Sequence, residues 1–208
     1  MKRAPLVLAL LSLACCDPTI EGSVCGFGDS LLVQAGEELQ VALGEGRFLP
    51  DGTFLTRDRS DTYTAIAAML GARLDASILT NWHAGRLETS GVPCGQVFVS
   101  FGTNDAGGPV PGFEGVETLL PVPARIERFM GDMAGRPVLW LVPHARDRRE
   151  SNIAEWQAAL ASAATRWPNL ILLWGDPGWI GPDGLHYTPE GQSALANAVA
   201  DHLEEMLP

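Results

Sequence analysis

The chain has 208 residues, long enough for one domain with a full-sized core. Hydrophobic residues make up 46%, which excludes a disordered protein. The formal net charge is −11 and Lys2 is the only lysine, so the surface repels phosphate backbones and argues against a nucleic-acid partner.

Residues 1–16 read as a signal peptide rather than as part of the fold. Lys2 and Arg3 give a positive start, Leu6 to Leu13 an apolar run too short for a permanent membrane span, and Ala14-Cys15-Cys16 a small-residue cleavage region. Leu13-Ala14-Cys15-Cys16 also resembles a bacterial lipobox, with Cys16 as the lipid carrier; ordinary secretion is the alternative. Both place the mature chain, residues 17–208, outside the cytoplasm, and membrane contact is expected only through such an anchor. Export permits a disulfide. Cys25 is expected near the end of the first strand and Cys94 before the start of a later one, so a bridge between them is not expected.

The first strand, Val24 to Phe27, runs into Gly28-Asp29-Ser30 and then an apolar-periodic helix, Leu31 to Leu43. Residues 44–60, with Pro50-Asp51-Gly52, read as a turn-rich connection. Asp61 is placed to cap a helix from Thr62 to Leu70, and Ala76 to Thr80 is a short strand candidate leading to His83-Ala84-Gly85. Gln96 to Phe101 is nearly continuously apolar, as strands buried on both faces are, and ends in Gly102-Thr103-Asn104-Asp105.

A long Gly- and Pro-rich connection, 106–123, precedes a helix from about Ala124 to Met133 and a strand from Val138 to Val142. Ser151 is placed to cap a helix whose Ile153, Trp156, Leu160, Ala163 and Trp167 form one stripe. The strand Leu170 to Trp174 follows, then a Gly/Pro/Asp loop to Leu185-His186-Tyr187 and a last helix opened by Thr188-Pro189. Strand and helix alternate about five times without a repeat or linker, which predicts a single three-layer α/β/α domain on a parallel sheet of about five strands.

In such sheets ligands bind beyond the carboxyl ends of the strands. Ser30, Gly85, Asn104 and the 175–186 loop all follow predicted strand ends, so they converge on one edge. Ser30 at a helix entrance is placed to attack a carbonyl; as a plain alternative, Asp29 or Ser30 caps the helix. Asp183, three residues before His186, can share one turn with it and fix its tautomer, leaving the other ring nitrogen to take the serine proton. Asn104 and the backbone at Gly85 and Ser30 are candidate donors to an oxyanion.

With Gly-Asp-Ser, Gly85, Gly-x-Asn-Asp and Asp-x-x-His in this order, the mature chain resembles the SGNH hydrolase superfamily, also called the GDSL esterase/lipase family. The resemblance implies a flavodoxin-like sheet, Ser30, Asp183 and His186 as catalytic triad, Ser30, Gly85 and Asn104 as oxyanion hole, and no cofactor. His83-Ala84-Gly85-Arg86 departs from the Gly-x-x-Gly common in the family. The α/β-hydrolase elbow Gly-x-Ser-x-Gly is absent, since Leu32 stands in the second glycine's place.

The four histidines show no zinc-ligand spacing, so no metal is expected. His144, after the strand end at Pro143, and Trp179, before Asp183, are candidate substrate contacts. Trp82, Trp140, Trp156, Trp167 and Trp174 are expected in the core or between layers. The expected activity is hydrolysis of small-acyl, lipid or carbohydrate esters. Acetyl transfer or deacetylation on envelope polysaccharide, by the same triad, is the alternative, and a non-catalytic envelope-binding lipoprotein is a rival of another class.

Overall fold

Val24–Gly28 forms the first strand, β1, in the computed structural model, which describes residues 24–43, 45–48, 53–57, 63–68, 74, 95–107, 120–147 and 149–206. The strands that follow are β2 (Glu45–Phe48), β3 (Thr53–Arg57), β4 (Tyr63–Ala68), β5 (Gln96–Ser100), β6 (Val138–Val142) and β7 (Leu170–Trp174). They form one sheet in the order β2-β3-β4-β1-β5-β6-β7. From β4 to β7 all neighbours are parallel, whereas β2 and β3 extend the sheet antiparallel.

The five-stranded parallel sheet is thus present, with a two-stranded antiparallel extension. The turn-rich 44–60 segment contributes β2 and β3 rather than a plain connection. The helix expected over Thr62–Leu70 is corrected to strand β4, which lies in parallel register with β1, Gly26 opposite Ile66. Tyr63, Thr64 and Ile66 favour a pleated strand, and pairing on both sides overrides the weak helical spacing of the segment's apolar residues. The strand candidate Ala76–Thr80 lies outside the described residues.

The helices are α1 (Ser30–Gln34), α2 (Gly36–Leu43), α3 (Thr103–Ala106), α4 (Val122–Asp132), α5 (Glu150–Ala164) and α6 (Pro189–Glu205), with a 3₁₀ turn at Pro177–Trp179. The single helix expected from Leu31 is broken at Ala35. Ser151 lies inside the first turn of α5 instead of capping it, the cap position being Arg149. Thr188 caps α6, its Oγ1 accepting from Gly191 N at 3.0 Å.

Successive strand side chains enter opposite layers. Val138, Trp140 and Val142 pack with α4 and α5, whereas Leu139 and Leu141 pack with residues of α1, α2 and α6. Phe129 meets Trp140 edge-on with centroids 5.2 Å apart, and the indole Nε1 donates to Phe101 O at 3.2 Å. Strands β5 and β6 are buried completely between the two helical layers.

Cys25 is disulfide-bonded, and its partner, like Cys94, lies outside the described residues. Cys25 stands second in β1, not near its end, and is level with Val97 at the start of β5. Among the described residues, no helix is long and apolar enough to cross a membrane.

Candidate active site

Gly28 ends β1, and Asp29 N donates to Ser100 O at 3.2 Å, which pins the turn to the end of β5. Ser30 is the first residue of α1; the structure describes its backbone, and its hydroxyl lies outside the described part. Asp29 is buried and caps α1, its Oδ1 accepting from Leu31 N at 3.0 Å. The capping role therefore falls on Asp29.

The turn after β5 carries Asn104 to the same edge. Gly102 has φ 119° there, and a Cβ on it would stand 3.1 Å from both Pro143 and the Trp156 ring, so no side chain fits. Asn104 Nδ2 donates to Asp29 Oδ2 over a long 3.4 Å. Burial pushes the Asp29 carboxyl up to about 7, against the Leu31 N–H, and the charge of Asp105 adds to the rise. Asp105 points away from this pair: its Oδ2 accepts from Leu74 N at 2.9 Å and its Oδ1 from Arg125 Nη1 at 3.3 Å. It ties α3 to α4.

Asp183 and His186 share the turn predicted for them. Asp183 Oδ1 accepts from Leu185 N at 3.0 Å and His186 N at 2.9 Å, and Oδ2 accepts from His186 Nδ1 at 2.7 Å. The Leu185 N–H, the imidazole and the His186 N–H hold this carboxyl down at about 2. An ionised carboxylate only accepts, so the Nδ1 proton is assigned to His186 and Nε2 is the ring's acceptor.

The turn is presented by paired backbone on either side. Ile180 and Tyr187 form an antiparallel bridge, Gly181 N donates to His186 O at 2.7 Å, and Thr188 N to Trp179 O at 2.9 Å. The loop after β6 crosses it: Arg146 N donates to Gly184 O at 2.7 Å, and the Arg146 guanidinium to Pro177 O. Gly184 has φ 75°, and a Cβ there would stand 3.2 Å from the Arg146 carbonyl carbon. Tyr187 is buried beneath; burial, with the Asp29 charge, pushes its phenol well up.

His144 stands two residues beyond the end of β6, its Nδ1 donating to Val142 O at 3.0 Å. Trp179 is half-buried against the core on the α6 side, with its ring over Gly175. Trp140 and Trp156 are buried as expected, but Trp174 is 51% exposed, which corrects its assignment to the core. It closes β7, the edge strand, where the sheet covers only one side of it. Gly85, His83, Trp82, Cys94 and Cys16 lie outside the described residues. The sequence reading missed the Asp29–Asn104 link and the Arg146 clamp, and no local pattern signals either, because both join segments remote in sequence.

No family model matches the chain, and no curated protein resembles it in sequence. Solved structures do. The catalytic domain of Streptococcus pneumoniae peptidoglycan O-acetyltransferase A superposes with TM-score 0.58 at 17% identity, over 89% of this chain and 92% of that one. An acetylxylan esterase from Geobacillus stearothermophilus gives 0.58 at 12% identity, over 87% and 93%. A GDSL-like lipase from Bacteroides thetaiotaomicron gives 0.62 at 13%, over 90% of each. The chain shares their fold. It is a three-layer α/β/α domain, as theirs are.

Proposed function

We propose that the chain is an exported serine esterase acting on carboxylic esters through an acyl-enzyme. Ser30 is the nucleophile, His186 the general base and acid, and Asp183 the carboxylate that orients it. The observation that carries the reading is the Asp183–His186 pair. Three hydrogen bonds keep the carboxylate ionised and bound to Nδ1, so Nε2 can accept a proton on the sheet edge where Ser30 opens α1.

Ser30 Oγ attacks the ester carbonyl as His186 Nε2 takes its proton, a service worth about 10²- to 10⁴-fold in rate. The oxyanion is held by Ser30 N–H, the Asn104 side chain and Gly85 N–H, each such donor contributing about 3 kcal/mol. Collapse of the oxyanion breaks the ester C–O bond, and the proton on Nε2 passes to the departing alkoxide. Water, deprotonated by the same nitrogen, attacks the acyl-enzyme, releases the acid and returns the proton to Ser30.

Acetyl transfer to a sugar hydroxyl on envelope polysaccharide is the second reading, favoured by the likeness to the peptidoglycan O-acetyltransferase domain. The same groups then serve a hydroxyl in place of water. Residues 1–16 support export and a lipid anchor on Cys16.

Purified chain from residue 17 should hydrolyse p-nitrophenyl acetate, and the Ser30→Ala variant should lose that activity. Equal rates in the two would sink the mechanism, and inactivity of both would favour a binding lipoprotein. Addition of acceptor sugars that lowers release of free acid would establish transfer.

A further inference from the structure

Trp174 is a large aromatic that the fold leaves half in solvent, at 51% exposure. It is the last residue of β7 and lies opposite Val142, so it stands at the carboxyl edge of the parallel sheet. The His144 ring, which continues beyond β6, meets it at 79° with centroids 6.3 Å apart. The imidazole is itself fixed, because Val142 O takes its Nδ1 proton at 3.0 Å and leaves Nε2 as an acceptor. A half-exposed indole beside a fixed hydrogen-bond acceptor suits a ligand with an apolar face and hydroxyls on its rim. A pyranose ring has that shape.

Two further facts narrow the occupant. β1, which leads to Ser30, is three strands from β7, so the two carboxyl ends lie roughly 14 Å apart at ordinary strand spacing. A bound acetyl group does not bridge that span, whereas a short oligosaccharide does. The chain carries a formal charge of −11, which disfavours an anionic polymer and is indifferent to a neutral glycan. The loop that carries His144 also holds the Asp183–His186 turn through Arg146 N and Gly184 O, so platform and turn belong to one packed edge.

We infer that Trp174, with His144 beside it, is a stacking subsite for a sugar ring of an acylated neutral oligosaccharide whose ester lies at Ser30. The inference rests on the esterase reading and narrows it to carbohydrate esters.

The test compares wild-type protein with Trp174→Ala and Trp174→Phe on p-nitrophenyl acetate and on acetylated xylotetraose. The ratio of kcat/KM on the tetrasaccharide to that on p-nitrophenyl acetate should fall about tenfold in Trp174→Ala, through KM, and recover in Trp174→Phe. An unchanged ratio overturns the subsite. So does a loss confined to long-chain p-nitrophenyl esters, which would make Trp174 an acyl-chain contact, or a change of oligomeric state on gel filtration, which would make it a contact between copies. Binding of unesterified xylotetraose to Ser30→Ala, followed by calorimetry, separates the two ideas. Weakening of that binding by Trp174→Ala supports the platform even if no variant hydrolyses any ester, and no detectable binding overturns it.

Discussion

Asn104 and Asp29, 75 residues apart in the chain, meet at the carboxyl edge of the sheet, the amide Nδ2 donating to the carboxyl Oδ2 at 3.4 Å. Asp29 thereby holds Asn104 on one oxygen and the N–H of Leu31, the residue after Ser30, on the other. Its burial makes it one residue through which pH acts on stability.

Burial raises the folded-state value of Asp29 from 3.8 to about 7, so the fold prefers the protonated form. Its contribution is fully present below about pH 3.8 and is lost as pH rises through about 7. Asp29→Asn keeps an oxygen for the Leu31 N–H and removes the titration. Thermal melts at steps from pH 4 to 8 should show the variant gaining on the wild type as pH rises. Parallel pH profiles would refute the burial argument.

Asp183 has the opposite sign. Its folded value is lowered from 3.8 to about 2, so its pairing with His186 is intact above the ordinary value and is lost only as pH falls through about 2. Carboxyl carbon NMR should follow that low titration. Asp183→Asn should lower kcat on p-nitrophenyl acetate by about 10⁴-fold with the fold intact, the cost of a wrong imidazole tautomer in a serine triad. A loss under tenfold would remove Asp183 from the proposed triad.

Gly184→Ala tests how the turn is held. The new methyl needs φ 75° and would lie 3.2 Å from the Arg146 backbone, so either the turn or the Arg146 loop must yield. Left-handed backbone alone costs a non-glycine residue about 1–2 kcal/mol. Displacement of His186 should lower kcat more than it raises KM. A melting temperature reduced by a few degrees with unchanged kcat would show that the turn tolerates the shift.

Cys25 provides a redox test. Reduction, or Cys25→Ser, should lower stability by about 2–5 kcal/mol, the usual cost of losing a native disulfide. Melting with and without reductant measures the change, and peptide mapping under non-reducing conditions identifies the partner cysteine.

Strands β5 and β6, both fully buried, were legible because burial on both faces leaves an unbroken apolar run. The Asp183–His186 turn was legible because three residues of separation fix its geometry locally. Tyr63–Ala68 was not: its apolar residues suit a helix locally, and only its pairing between β1 and β3 selects the strand. Cys25 was misplaced along β1, and the register with β5 decides its height. Trp174 ends an apolar run that looks like its neighbours in sequence, and its exposure follows from β7 being last in the sheet order. Each miss is a matter of which segments become neighbours, which composition and periodicity do not encode.

Strand β1 enters the sheet at Val24 and leaves it at Gly28, one residue before Asp29 and two before Ser30. Whatever precedes Val24 therefore attaches at the pole opposite the proposed reaction edge. A linker that joins a bead directly to Val24 leaves that edge facing away from the bead. Attachment at the far pole makes immobilisation compatible with large substrates.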